Sequence, residues 1–102
     1  MKKIAVVILN WNGRQLLEQF IPSVISYSAD AQLYIADNAS TDTSLAYVSS
    51  TFPEIKIIEN NGNFGFAKGY NQALKNVHEP YLALVNSDIE VTQNWLQPIL
   101  DI

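Results

Sequence analysis

Strand and helix signals alternate four times along the chain, which predicts an α/β fold: a parallel sheet of four strands with about four flanking helices. The first strand signal is a continuous apolar run rich in β-branched residues, the signature of a strand covered on both faces. Polar residues cluster after each strand signal, at Asn10–Asn12, Asp37–Asp42, Asn60–Asn63 and Asn86–Asp88. Parallel strands would bring these clusters to one edge, and ligands of open α/β sheets bind beyond the carboxyl ends of the strands.

Ile4-Ala5-Val6-Val7-Ile8-Leu9 is the first strand, broken by the turn formers of Asn10-Trp11-Asn12-Gly13. Leu16, Leu17, Phe20, Ile21, Val24 and Ile25 follow at helical spacing, with Asn12 as the expected N-cap. Pro22 predicts a kink or an early end, because it removes a hydrogen bond and crowds the preceding turn. Leu33-Tyr34-Ile35-Ala36 is the second strand. Thr41 or Asp42 caps a helix that runs to about Phe52, and Pro53 closes it. Ile55–Ile58 is the third strand. A third helix runs from about Phe66 to Val77, with Ala67, Tyr70, Ala73, Leu74 and Val77 on its apolar face. Tyr81–Val85 is the fourth strand. Trp95, Leu96, Ile99 and Leu100 belong to a fourth helix capped by Thr92.

Composition narrows the function. The 102 residues suit one domain, and 48% apolar against 16% charged residues describes a globular chain. The absence of cysteine excludes disulfides and thiolate metal sites. A net charge of −4 without a basic run argues against a nucleic-acid partner. Lys2 and Lys3 precede an apolar run too short for a signal peptide, and no stretch reaches the ~20 apolar residues of a membrane span.

Each cluster has a ligand-binding reading and a plainer one. Asp37, Asn38, Ser40 and Asp42 can meet a ribose or a base, as the acid after the second strand does in dinucleotide folds. They can equally form an Asx turn and a helix cap. Asn63, Gly65, Phe66, Gly69 and Asn71 straddle the start of the third helix, where small residues admit a ligand or simply a close neighbour. Gly69 inside a helix costs roughly 1 kcal/mol against alanine, so a packing or contact role is expected. Neither a Walker loop nor a Gly-x-Gly-x-x-Gly fingerprint is present, which removes the main support for a nicotinamide or flavin site. Asn86, Ser87 and Asp88 place oxygen donors at a strand end, suited to Mg²⁺ or Mn²⁺, or else make an ordinary turn. His78 reads as a helix-end residue. Trp11 and Trp95 read as packing residues, Trp11 on the candidate edge.

Together, residues 6–13, 35–42, 60–71 and 84–88 resemble the family 2 glycosyltransferases of the GT-A fold, most closely a rhamnosyltransferase-like branch. The resemblance implies a Rossmann-like sheet forming the N-terminal half of a GT-A fold. It implies that Asp37 meets the nucleotide base, with Asn38, Ser40 and Asp42 around it and Asn10 and Asn12 lining the nucleoside. Asn63, Gly65, Phe66, Gly69 and Asn71 match the segment that closes over base and ribose. Asn86-Ser87-Asp88 falls where the family carries Asp-x-Asp, so Asp88 matches the acid that holds Mg²⁺ or Mn²⁺, and Asn86 replaces the first acid.

The implied donor is a nucleoside-diphosphate sugar on uridine or deoxythymidine, with a lean toward deoxythymidine diphosphate-rhamnose. The implied acceptor is a saccharide or lipid-linked saccharide. Residues 1–102 are expected to form the donor part alone, with the general base beyond Ile102, and so to be inactive by themselves. A sheet short of strands is expected to self-associate. The expected location is the cytoplasm, with the inner membrane face as the alternative. Two other readings compete: a non-catalytic module that binds a nucleotide or partner, and a nucleotidyltransferase. Asn10–Gly13 with Arg14 replaces the latter's glycine-rich basic loop poorly.

Overall fold

The computed structural model describes residues 3–60, 62, 65–86, 95, 96 and 98. The apolar run near the start forms β1 (Ile4–Asn10), and α1 (Arg14–Ser26) and β2 (Ala31–Asp37) follow it. Next come α2 (Ser44–Thr51), β3 (Lys56–Glu59), α3 (Gly65–Leu74) and β4 (Tyr81–Asn86). All pairings are parallel, and the strand order is β3-β2-β1-β4. The expected parallel α/β sheet is therefore present, with three helices among the described residues.

Alternation along β1 and β2 sends side chains to two separate cores. Ile4, Val6, Ile8, Leu33 and Ile35 meet Leu17, Ile21 and Val24 of α1 and Val48 of α2 on one face. Ala5, Val7, Tyr34 and Ala36 meet Tyr70 and Ala73 of α3 on the other. β1 is central, and its residues from Ile4 to Val7 are completely buried. α3 thus returns the chain across the sheet to the far side of β1, and the strand order reverses between β1 and β4.

Four local expectations need correction. Neither Thr41 nor Asp42 is the N-cap of α2; Thr43 holds that position, and Asp42 Oδ1 accepts from the Ser44 amide inside it. Asn12 does not cap α1; Gly13 occupies that position, and no side chain bonds there as a cap. Asn12 instead adopts a left-handed φ of 49°, which asparagine tolerates, and turns its side chain to the next loop. Pro22 does not end α1, which continues to Ser26. Its ring lies on the exposed side, where water can satisfy the carbonyl one turn earlier. α3 stops at Leu74 rather than Val77, although Val77 still packs on the core. Of the expected fourth helix, Trp95 and Leu96 join the α1/α2 face, and Trp95 donates to Ser28 at 2.9 Å. Thr92, Ile99 and Leu100 lie outside the described residues.

The connection from α3 to β4 is fastened across the sheet. The Tyr34 hydroxyl donates to both Glu79 carboxylate oxygens, at 2.7 and 2.9 Å. Burial, the Glu79 hydrogen bond and its charge push the phenol up from 10 to about 12. The fold therefore favours the neutral phenol. This contribution is full below pH 10 and is lost as pH rises through about 12. Tyr34→Phe is expected to lower stability by about 1 kcal/mol and to flatten that alkaline decline, as read from urea midpoints against pH.

Candidate functional site at the carboxyl edge of the sheet

The register brings the strand ends level: Asn10 pairs with Asp37, Asp37 with Glu59, and Leu9 with Asn86. The described residues that close the strands, Asn10, Asp37, Glu59 and Asn86, therefore share one edge. The strand order reverses between β1 and β4, and in open α/β sheets such a reversal at the carboxyl edge is the usual ligand position.

Asn10 and Asp37 lie side by side on the α1/α2 side of the sheet, each 1% exposed. The Asp37 carboxylate accepts from Asn10 Nδ2 at 2.9 Å, from the Ser40 amide at 2.8 Å and from the Ser40 hydroxyl at 2.6 Å. Asn10 Oδ1 accepts from the Gly13 amide at 3.1 Å. Asp37 thus shapes the loop after β2 and ties it to the loop after β1, the Asx-turn alternative that its sequence allowed. Its oxygens are held by the protein. Between these anchors Ala39 takes φ +61°, a left-handed conformation that costs a non-glycine residue roughly 1–2 kcal/mol.

Asn12 and Asp42 extend the tie outward. Asn12 Oδ1 accepts from the amides of Thr41, at 2.7 Å, and Asp42, at 3.1 Å, while its own amide donates to Ser40 Oγ at 2.9 Å. Asp42 Oδ1 accepts from the Ser44 amide at 2.9 Å and from the Ser44 hydroxyl, and Oδ2 accepts from the Arg14 amide at 3.4 Å. One carboxylate thereby serves the N-termini of both α1 and α2, where negative charge is favoured. Burial alone would raise its pKa. The hydrogen bonds from Ser44 and Arg14 outweigh burial and leave it below the ordinary value.

The α3 side has its own network. Asn38 is 1% exposed, and its Nδ2 donates to the Gly65 carbonyl at 3.2 Å. Its Oδ1 accepts from Asn60 Nδ2 at 2.7 Å, and the same Nδ2 donates to the Gly69 carbonyl at 3.1 Å. Gly69 answers the question its sequence position raised. A Cβ there would stand 2.8 Å and 2.9 Å from the Asn38 amide atoms and 3.0 Å from Leu9 Cδ1. Gly65 has open space around it but needs glycine for its φ of +71°. Tyr70 donates to the Val85 carbonyl at 2.6 Å, joining α3 to the end of β4.

Asn10, Asn12, Asp37, Asn38, Ser40 and Asp42 therefore gather at one edge, with Gly65 and Gly69 against them. Asn71 is exposed on α3. Asn63, Ser87 and Asp88 lie outside the described residues, as do the side chains of Phe66 and Asn86. Among the described residues no three acidic or histidine side chains come together to hold a metal ion. Two residues carry more than their sequence suggested. Asn60, read as loop, is 7% exposed and joins β3 to Asn38 and α3. Its signal was an asparagine directly after β3, level with Asn38 after β2. Arg14 donates to Thr43 Oγ1 at 2.6 Å and lies 5.2 Å from the Tyr47 ring centre, with Glu18 one helical turn on as its visible partner.

An open groove of about 380 Å³ adjoins this edge, lined by Asn12, Gly13, Arg14, Gln15, Leu16 and Asp42. Another, of about 320 Å³, lies at the opposite end beside Ala31, Gln32 and Leu33, away from the polar clusters. Trp11 stands 53% exposed just after β1, outside the core. No helix among the described residues is long and apolar enough to cross a membrane.

Solved proteins share this architecture. TarS 1–349 from S. aureus, in complex with UDP-GlcNAc, superposes with a TM-score of 0.84 at 21% identity, over 99% of this chain and 30% of that one. The mannosyltransferase PcManGT from Pyrobaculum calidifontis, in complex with GDP-Man and Mn²⁺, gives 0.79 at 19% identity, over 90% of this chain and 29% of that one. At these identities the likeness is one of fold, and this chain spans 29% of the PcManGT chain, 30% of TarS 1–349 and 19% of the longer TarS chain. None of the curated proteins matches it. The family model for glycosyl transferase family 2 matches residues 5–102. With nearly its whole length inside that match, the chain belongs to glycosyl transferase family 2.

Proposed function

We propose that residues 1–102 form the donor-binding part of a glycosyltransferase that holds a nucleoside-diphosphate sugar at the carboxyl edge of its sheet. The observation that supports this reading is the level register of the strand ends, which sets Asn10, Asp37 and Asn86 along one edge of the sheet. In this reading Asn10, Asp37, Asn38 and Ser40 form the floor beneath the nucleoside, and Asn12 and Asp42 brace its side. Asp37 meets the base in this reading through Oδ2, which carries one of the three bonds its carboxylate accepts and has capacity for another. Gly65, Phe66, Gly69 and Asn71, with Asn63, flank the ribose.

The donor's diphosphate lies toward Asn86 and Ser87. Asp88, which stands where the family carries its metal-binding acid, is the proposed ligand for Mg²⁺ or Mn²⁺, with the donor phosphates completing the shell. Such a cation, when bound, neutralises charge on the leaving nucleoside diphosphate. The donor is a uridine or deoxythymidine diphosphate sugar, in keeping with a rhamnosyltransferase-like branch, and the acceptor a saccharide or lipid-linked saccharide, met on the cytoplasmic side. The general base and the acceptor pocket come from outside these residues, and sugar transfer by 1–102 alone is not expected. Leu82 and Leu84, 43% and 49% exposed on β4, are the expected contacts for self-association.

Calorimetric titration of UDP and of dTDP, with and without Mn²⁺, tests the reading. Wild type is expected to bind one of them at least tenfold more tightly with Mn²⁺, and Asp88→Ala to lose that gain. Binding that ignores the metal, or no binding, would overturn the reading in favour of a non-catalytic module.

A further inference from the structure

We infer that Asn60 is a positioning residue for nucleotide binding, acting through Asn38 and the first turns of α3. The inference rests on the donor-site reading above and goes one residue beyond its contact set. Asn60 is buried, and one amide nitrogen serves two acceptors, Asn38 Oδ1 at 2.7 Å and the Gly69 carbonyl at 3.1 Å. Its backbone amide donates to the Asp37 carbonyl at 2.7 Å, continuing the β2–β3 ladder by one residue. Asn60 therefore fixes, from one point, the strand end that carries Asp37 and Asn38 and the helix that carries Gly65 and Gly69.

The chemistry of the position is restrictive. Two acceptors must be met by a neutral, short group carrying two N–H bonds, and a primary amide on a single methylene supplies that. Serine has only one donor. Aspartate has the same shape but would turn carboxylate oxygens toward the Asn38 oxygen and the Gly69 carbonyl. Asn38 would then have to turn over or move, and its Nδ2 would leave the Gly65 carbonyl. The whole floor of the proposed pocket on the α3 side would shift, although Asn60 itself touches no ligand.

The test compares Asn60→Asp and Asn60→Ser with Tyr34→Phe in the 102-residue chain, using UDP and dTDP with Mn²⁺ as probes. Tyr34 also fastens the α3 side of the sheet, but at Glu79, away from the carboxyl edge. Unfolding midpoints are measured beside dissociation constants at a temperature where every variant is folded. Asn60→Asp is expected to weaken nucleotide binding tenfold or more, Asn60→Ser by less, and Tyr34→Phe by under twofold despite its lower midpoint. If Asn60→Asp does not fold, Asn60→Ser alone carries the comparison. A folded Asn60 variant that binds like wild type overturns the inference and leaves the donor site standing. Equal weakening by Tyr34→Phe also overturns it, because the effect would then follow stability alone. A wild type that binds neither nucleotide removes the donor site and this inference together.

Discussion

Gly69→Ala is expected to destabilise the domain by about 2 kcal/mol or more, against the direction helix propensity predicts. Alanine favours a helix interior over glycine by about 1 kcal/mol. Opposing it, the added Cβ would lie within 3.0 Å of three atoms, two of them in the Asn38 amide. A free side-chain end would swing away at little cost. This one is 1% exposed and bonded to Asn60 and to the Gly65 carbonyl. Displacing it leaves buried donors and acceptors unmet, at about 1–3 kcal/mol each. Overpacking and unmet hydrogen bonds together exceed the propensity gain. Urea denaturation with an unchanged m-value checks this. A variant as stable as wild type would mean that Asn38 has somewhere else to go.

Asp37→Ala is expected to cost about 3 kcal/mol or more, comparable to much of the stability available to so small a domain. The substitution removes the acceptor of the Ser40 amide and Ser40 hydroxyl, and leaves Asn10 Nδ2 with only its longer bond to Ser40 Oγ at 3.2 Å. Asn10 is 1% exposed, so its amide cannot turn to water. The loop that Asp37 folds also holds Ala39 in its left-handed conformation, and without the anchor that strain has nothing to oppose its release. Thermal unfolding by circular dichroism is the measurement. A loss of nucleotide binding with unchanged melting would show a ligand role without the anchoring role drawn here.

The layered fold was legible because its causes are local and repeated. Runs such as Ile4–Leu9 and Leu33–Ala36 are short, apolar and closed by turn formers, which together favour buried strands and fix where each stops. The polar rim was legible for the same reason, since parallel strands must end on one side. What each rim residue does was much less legible. Asp37 and Asn38 are adjacent in sequence, yet they serve networks on opposite sides of the sheet, and only the register shows that Asp37 faces Asn10 while Asn38 faces Asn60. Asn12 looked like a cap because caps and left-handed turns draw on the same residue type. Pro22 looked like a breaker because sequence does not show that it sits on the solvent side of α1. Gly69 was marked as anomalous by propensity alone, but the amide it makes room for lies in another element.

The placement of β1 at the centre has a consequence for how the chain is made. Its neighbour on one side, β2, is separated from it only by α1, whereas on the other side Ile4 must wait for Tyr81. Closing that second gap restricts a long stretch of chain before any contact compensates. During synthesis the first three strands therefore leave the ribosome with one flank of the most apolar strand open. Recruitment of β4 is then the late step, and an early arrest product would be the form of this chain most prone to aggregate.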